Sequence, residues 1–358
     1  MRICYLALAT NIHTERFLKY FVKAGHDVHI LSFHKGSIEG VTYHHIGSPF
    51  KNNYLSFILH VKKVRRILKE IDPDVVHGIY LTNYCLLGAL AGIRPFIATA
   101  LGSDVLLGPK RSIILRYIVK YVLKKADLVT SMAGHMTEEL VKLGAERGRI
   151  FETPFGVDTF IFNPAPRKKR DAKLRIISTR NFEPIYNVGL LLDAIAYVKQ
   201  RKNGFECVLI GDGSRKNELM ERSNKLKICD IVKYTGYLPN EKVAEYLASS
   251  DVYVTTSSSD GANISLLEAM ACGVFPIATD IPANCQWIDH CVNGYLVPAD
   301  KPEILGKKII LALEDKDLRE KAGKINRSIV KDRASMEENM KNIENKYEML
   351  AKKFKKCL

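Results

Sequence analysis

Short apolar, often β-branched runs alternate with longer segments in which apolar residues recur at helical spacing, and the alternation continues along most of the chain. The short runs read as strands buried on both faces and the longer ones as amphipathic helices. In the first half the pattern predicts strands at 2–8, 27–32, 75–77, 96–100 and 128–131. Residues 162–173, containing NPAPRKKRDAK, are polar, proline-bearing and non-periodic, and mark a linker. The pattern then restarts, with strands expected at 174–179, 206–210, 231–234, 252–255, 275–278 and 295–297, and a lysine-rich helix closes the chain. Strands separated by helices imply parallel sheets covered on both faces. The reading is α/β, two doubly wound domains facing across a cleft, with ligands outside the carboxyl ends of the strands. The expected divisions are 1–165 and 166–335, with the helix 336–358 joined to the first.

A length of 358 residues fits two domains of roughly 150 each, every one large enough for its own core. With 47% hydrophobic and 26% charged residues the composition is globular, and no apolar run reaches the roughly 18 residues of a membrane span. The opening MRICYLALAT lacks a cleavage site and reads as a strand, so a cytoplasmic protein is expected. The eight cysteines are scattered without a CxxC pair, and buried free thiols are expected.

Charge changes this picture locally. The chain carries a formal +15, and residues 51–125 alone hold 13 basic and 4 acidic side chains. Two apolar-basic segments of helical spacing, 55–71 and 112–125, lie in that stretch. Such faces attract anionic lipid headgroups or phosphorylated acceptors, or simply keep a protein soluble. No aromatic-interleaved basic groove favours nucleic acid.

The stretch SSSDGANISLLEAMACG, from Ser257 to Gly273, carries the most chemistry. A strand runs into a Ser/Asp/Gly loop, and an apolar helix follows with Asn263 as its expected N-cap. Unpaired N–H groups and roughly half a positive charge suit that helix start to a phosphate. Asp260 and Glu268 frame it, and a carboxylate placed like Glu268 can accept a pair of sugar hydroxyls.

With LLEAMACG and the following FPIATDIPANCQWI and VNGYLVPAD, this stretch resembles the acid-x7-Glu signature of the family 4 retaining glycosyltransferases. GHDVHILS, DPDVVH, LGSDVL, ADLVTSMAGHM, TPFGVDTFIFNP, IGDGSRKNEL and VKYTGYLPNEKVAEYLASSDVYV extend the resemblance, in order, over nearly the whole chain. It implies the GT-B fold of two Rossmann-like domains and a hexosyltransferase-type reaction, in which a nucleotide sugar, UDP-linked in our reading, gives up its sugar to a glycan or lipid-linked acceptor. Glu268 would hold the donor ribose and Asp260 would face the hexose, while the amides of Asn263, Ile264, Ser265 and Leu266 would meet sugar and diphosphate. Arg180 falls where the family keeps the arginine that neutralises the diphosphate, Tyr237 where it lines the base pocket. Peripheral contact with an anionic membrane is the expected way to a lipid-linked acceptor.

The chain departs from the family in three places. Tyr186 and Asn187 stand where many relatives have a lysine, and we place Asn187 with the donor-binding residues. ATNIHTER replaces an N-terminal Gly-Gly loop, so His13, Thr14 and Arg16 are candidates for a phosphate or the acceptor. Leu101 replaces a histidine beside the donor sugar, leaving Asp104, His13 and His77 as possible substitutes. Asp72 and Asp74 look like a metal-binding DxD but read as turn chemistry, so no catalytic metal is expected, and no cofactor beyond the donor. Gly211 and Gly213 lack the third glycine of a dinucleotide fingerprint. The rival readings are a GT-B nucleotide-sugar epimerase and a non-catalytic basic protein that binds lipid or nucleic acid.

Overall fold

The computed structural model describes residues 1–47, 54–164 and 173–356, with the side chains of His13 and 54–56 excepted. Most of the expected linker, and Lys51 of the basic stretch, therefore lie outside the described residues. The chain forms two compact units, Met1–Phe155 with Glu338–Leu358, and Gly156–Glu337.

The first unit is built on a parallel sheet of β1 (Arg2–Leu6), β2 (Asp27–Ser32), β3 (Val41–His45), β4 (Val75–Ile79), β5 (Phe96–Thr99), β6 (Leu128–Ser131) and β7 (Ile150–Glu152), in the order β3-β2-β1-β4-β5-β6-β7. The second repeats the scheme with β8 (Leu174–Ser178), β9 (Phe205–Ile210), β10 (Val232–Gly236), β11 (Val252–Thr255), β12 (Phe275–Thr279) and β13 (Tyr295–Val297), in the order β10-β9-β8-β11-β12-β13. All these strands pair in parallel, which requires a crossover between neighbours; helices supply most of these, while an irregular segment joins β2 to β3. Central strands such as β4 and β11 are buried at every residue, as a sheet covered on both faces demands.

The strands expected at 27–32, 128–131, 252–255 and 295–297 form with those bounds, and the others differ by one or two residues at an end. The sequence pattern missed β3 and β7. Both are edge strands with partly exposed residues throughout, so neither presents an unbroken apolar run. The helix Ile113–Lys125 starts where expected, its N-cap Ser112 accepting the N–H of Leu115. The closing helix Met336–Lys355 packs in the first unit, with Tyr347 fully buried and its hydroxyl bonded to His77.

Two expectations need correction or sharpening. Seven of the cysteines are free thiols, but Cys229, Cys285 and Cys291 are exposed, because they sit in loops and helix ends and not on strands. Asp72 and Asp74 are held within the fold: Asp72 has φ 48°, while Asp74 takes the Arg2 N–H at 2.8 Å and the Lys355 ammonium at 2.6 Å.

In each sheet the order reverses between the first and fourth strands of the unit, β1 and β4 or β8 and β11. At such switch points the loops leaving the two strands diverge and open a crevice. In the second sheet Ile177 on β8 pairs with Tyr253 on β11, so both strands deliver their following loops to one place.

Candidate functional site

The loop leaving β8 carries Arg180, and the loop leaving β11 carries Asp260 and Asn263. Arg180 is only 6% exposed. Its Nη1 donates to Asn263 Oδ1 and Ser265 Oγ, each at 2.9 Å, and its Nη2 meets Asp260 Oδ2 at 2.5 Å. The Tyr186 ring lies 4.0 Å from the guanidinium carbon, a cation–π contact from the same loop as Arg180. Burial works against the charge of Arg180, but Asp260, Tyr253 and Tyr186 together outweigh it, and the guanidinium is held above its usual pKa. Its Nε is buried with no hydrogen-bond partner. An unsatisfied N–H on a buried cation is costly, and an anion arriving there would satisfy it.

The helix Ile264–Ala271 begins at this cluster. Asn263 adopts the left-handed conformation, with φ 46°, and its Oδ1 accepts the Leu266 N–H at 3.2 Å. Its amide then donates to Asn284 Oδ1 at 2.6 Å, and Asn284 donates to the Thr279 carbonyl at 2.8 Å. The helix start is thus pinned to the end of β12 through buried amides. Asp260 Oδ1 takes the N–H groups of Gly261 and Asn263, fixing the turn before the helix. Glu268, in the second turn, is 8% exposed and is not a surface charge. Nearby Tyr253 is raised by burial to about 12 and stays neutral at physiological pH.

Gly211 explains the glycine pair that looked like half a fingerprint. Its φ is 147°, and a Cβ there would lie 2.6 Å from the Arg180 carbonyl oxygen. The glycine lets the loop after β9 press against the loop that carries the arginine.

Among the expected site residues, the structure gathers Arg180, Asp260, Asn263 and Ser265, with Ile264, Leu266 and Glu268 on the adjoining helix. The Leu266 N–H is already taken by the Asn263 cap, so it is not open to a ligand. Asn187 turns its amide toward the Ala299 carbonyl, at 3.4 Å, rather than to the arginine. Tyr237 is 71% exposed beyond β10.

The remaining candidates belong to the first unit. Asp104 is 1% exposed, and its two oxygens accept the N–H groups of Leu81, Leu101 and Gly102. That engagement fastens the loops that follow β4 and β5. His77 is fully buried between Tyr347 and Thr99, and burial lowers its pKa to about 3, so it is a neutral structural hydrogen-bonder. Thr14 is buried and Arg16 half-buried in the first turns of the helix Ile12–Lys23, and the His13 side chain lies outside the described residues. Sequence reasoning missed two residues, Tyr186 and Asn284. Tyr186 was visible only as a missing lysine, and Asn284 is a polar residue whose burial the sequence does not display.

Comparison with known proteins adds an independent line. A family model described as Glycosyl transferases group 1 matches residues 160–329, and one described as Glycosyl transferase 4-like matches residues 2–133. The amylovoran biosynthesis glycosyltransferase AmsK of Erwinia amylovora is 25% identical over 240 residues, 63% of this chain and 59% of its own length. The N-acetyl-alpha-D-glucosaminyl L-malate synthase of Bacillus anthracis is 25% identical over 352 residues, 92% of this chain and 91% of that protein. The crystal structure of Anabaena Alr3699/HepE in complex with UDP and glucose superposes with a TM-score of 0.83 at 18% identity, covering 98% of this chain and 100% of that one. At that identity the superposition establishes the fold.

Proposed function

The chain belongs to the group 1, family 4-like glycosyltransferases and has their GT-B fold, and from that premise we propose that it transfers a hexose, with retention, from UDP-sugar to a glycan or lipid-linked acceptor. The observation that carries the donor reading is Arg180: a buried cation with an unsatisfied Nε, beside a helix start, at the switch point of the second sheet. The helix dipole and the guanidinium favour negative charge at the same spot.

In the donor complex Arg180 turns from Asp260 toward the diphosphate and stabilises the charge that grows on it as the glycosidic bond breaks. The N–H groups of Ile264 and Ser265 contact the phosphates or the sugar. Asp260, freed from the arginine, faces the hexose, and Glu268 holds the ribose hydroxyls. The acceptor hydroxyl attacks from the face the diphosphate leaves and gives its proton to the departing phosphate oxygen on that face, with no metal ion assigned a role. UDP is favoured because the HepE complex contains it, and a glycan acceptor because AmsK is named for amylovoran biosynthesis.

A thermal-shift screen against common UDP- and GDP-sugars, followed by transfer from the stabilising donor in labelled form, tests this reading. A donor-specific rise in melting temperature and acceptor-dependent loss of label from the donor are expected. No shift with any nucleotide sugar, or release of the epimerised donor without an acceptor, contradicts it.

A further inference from the structure

We propose that two helices of the first unit, Tyr54–Ile71 and Ile113–Lys125, form a docking surface for an anionic lipid bilayer. Both pack against the buried helix Cys85–Ala91, which is their shared neighbour in the unit.

The helix Ile113–Lys125 buries Val119, Val122 and Leu123 and leaves a second apolar stripe in solvent. Ile113 is 69% exposed, Ile114 62%, Tyr117 67% and Tyr121 36%, at spacings that place them on one helix face. On the neighbouring helix Ile58 is 53% exposed and Leu59 70%. Single exposed apolar residues are ordinary, but six large ones on two helices that share a packing neighbour need an occupant.

Charge selects the occupant. The helix Ile113–Lys125 contains Arg116, Lys120, Lys124 and Lys125 and no acidic residue, and Lys110 and Arg111 precede it. Tyr54–Ile71 adds Lys62, Lys63 and Lys69, while Arg66 lies beside the single acid Glu70 and Arg65 is turned to the carbonyls of Leu90 and Ala91. A second copy of the chain docked by a twofold axis would set these cations against one another. Nucleic acid would meet the cations and could stack on Tyr117 and Tyr121, but it would leave the aliphatic Ile58, Leu59, Ile113 and Ile114 against a polar backbone. An anionic bilayer satisfies both features, with phosphate groups against the lysines and arginines and the aliphatic tips in the headgroup–acyl boundary. The two exposed tyrosines, Tyr117 and Tyr121, suit that boundary because their rings are apolar and their hydroxyls polar.

The contact would bring the enzyme to a lipid-linked acceptor, and in that respect it deepens the proposed function. Its test uses no donor, so either reading can fail alone. The whole protein is sedimented with vesicles of phosphatidylcholine, alone or with about a third phosphatidylglycerol, at low and high salt. Binding is expected only to the anionic vesicles and is expected to weaken with salt. The double variants Ile113→Ser/Ile114→Ser and Arg116→Glu/Lys120→Glu should each lower vesicle affinity roughly tenfold or more, with unchanged melting temperature because all four side chains lie at the surface. Equal binding to both vesicle types, wild-type binding by the serine variant, or a concentration-dependent dimer that the serine variant abolishes would overturn the proposal.

Discussion

Asn263→Ala is the substitution from which the geometry of the candidate site demands most. Asn263 is 1% exposed, holds φ at 46°, caps the helix through Leu266 and passes a hydrogen bond to the fully buried Asn284. Losing the cap costs about 1 kcal/mol. Leaving Asn284 Oδ1 without its donor costs about 1–3 kcal/mol. Forcing a Cβ-bearing, non-amide residue into the left-handed region adds about 1 kcal/mol. The three terms give about 3–5 kcal/mol, a large share of the 5–15 kcal/mol by which a domain is typically stable. For a unit the size of Gly156–Glu337 this corresponds to a fall in melting temperature on the order of 10 °C. Asn263→Gly makes the same hydrogen-bond losses but accepts the backbone conformation, so it should melt several degrees above the alanine variant. Differential scanning calorimetry of the three proteins decides the matter. An alanine variant as stable as wild type, or more stable than the glycine variant, refutes the claim that this side chain anchors the helix start.

Other consequences follow from Arg180 and His77. Arg180→Lys keeps a charge but loses the fork to Asn263, Ser265 and Asp260, and kcat should fall roughly a hundredfold. Tyr186→Leu removes the ring stacked on the guanidinium and should lower kcat about 3- to 30-fold with little change in donor KM; wild-type kcat would show that Tyr186 does not position the arginine. In the first unit His77 has a pKa of about 3 against an ordinary 6.5. As pH drops below 6.5 the unfolded chain takes up a proton that the buried ring refuses, so the stabilisation present above 6.5 is progressively lost. The loss is about 1 kcal/mol between pH 6.5 and 5.5, and it should vanish from the pH dependence of melting in His77→Gln. Identical pH slopes for the two proteins would contradict this account of His77.

How far the fold was legible depended on how deeply each strand is buried, since the edge strand β13 keeps Tyr295 and Val297 buried and was readable. Strands β2, β6, β11 and β13 were readable to the residue because most of their residues are buried and β-branched or apolar. Strands β3 and β7 lie at sheet edges, where one side faces solvent and the run dissolves into VTYHH and IFE. In the site, Asn263 announced itself as a cap because helix starts have a local chemical requirement. The environment of Arg180 did not, since its partners come from a loop about 80 residues away in sequence. The same gap separates Asp104 as a candidate acid from Asp104 as a loop fastener: the N–H groups that occupy it come partly from Leu81, which no local pattern connects to it.

The account rests on a diphosphate at the start of the helix Ile264–Ala271, and a crystal structure of the protein soaked with UDP tests that claim most directly. It predicts phosphate oxygens within hydrogen-bonding distance of the Arg180 guanidinium and the Ile264 and Ser265 N–H groups, with the ribose hydroxyls on Glu268. A nucleotide bound elsewhere on the second unit, with Arg180 still held by Asp260, Asn263 and Ser265, contradicts it.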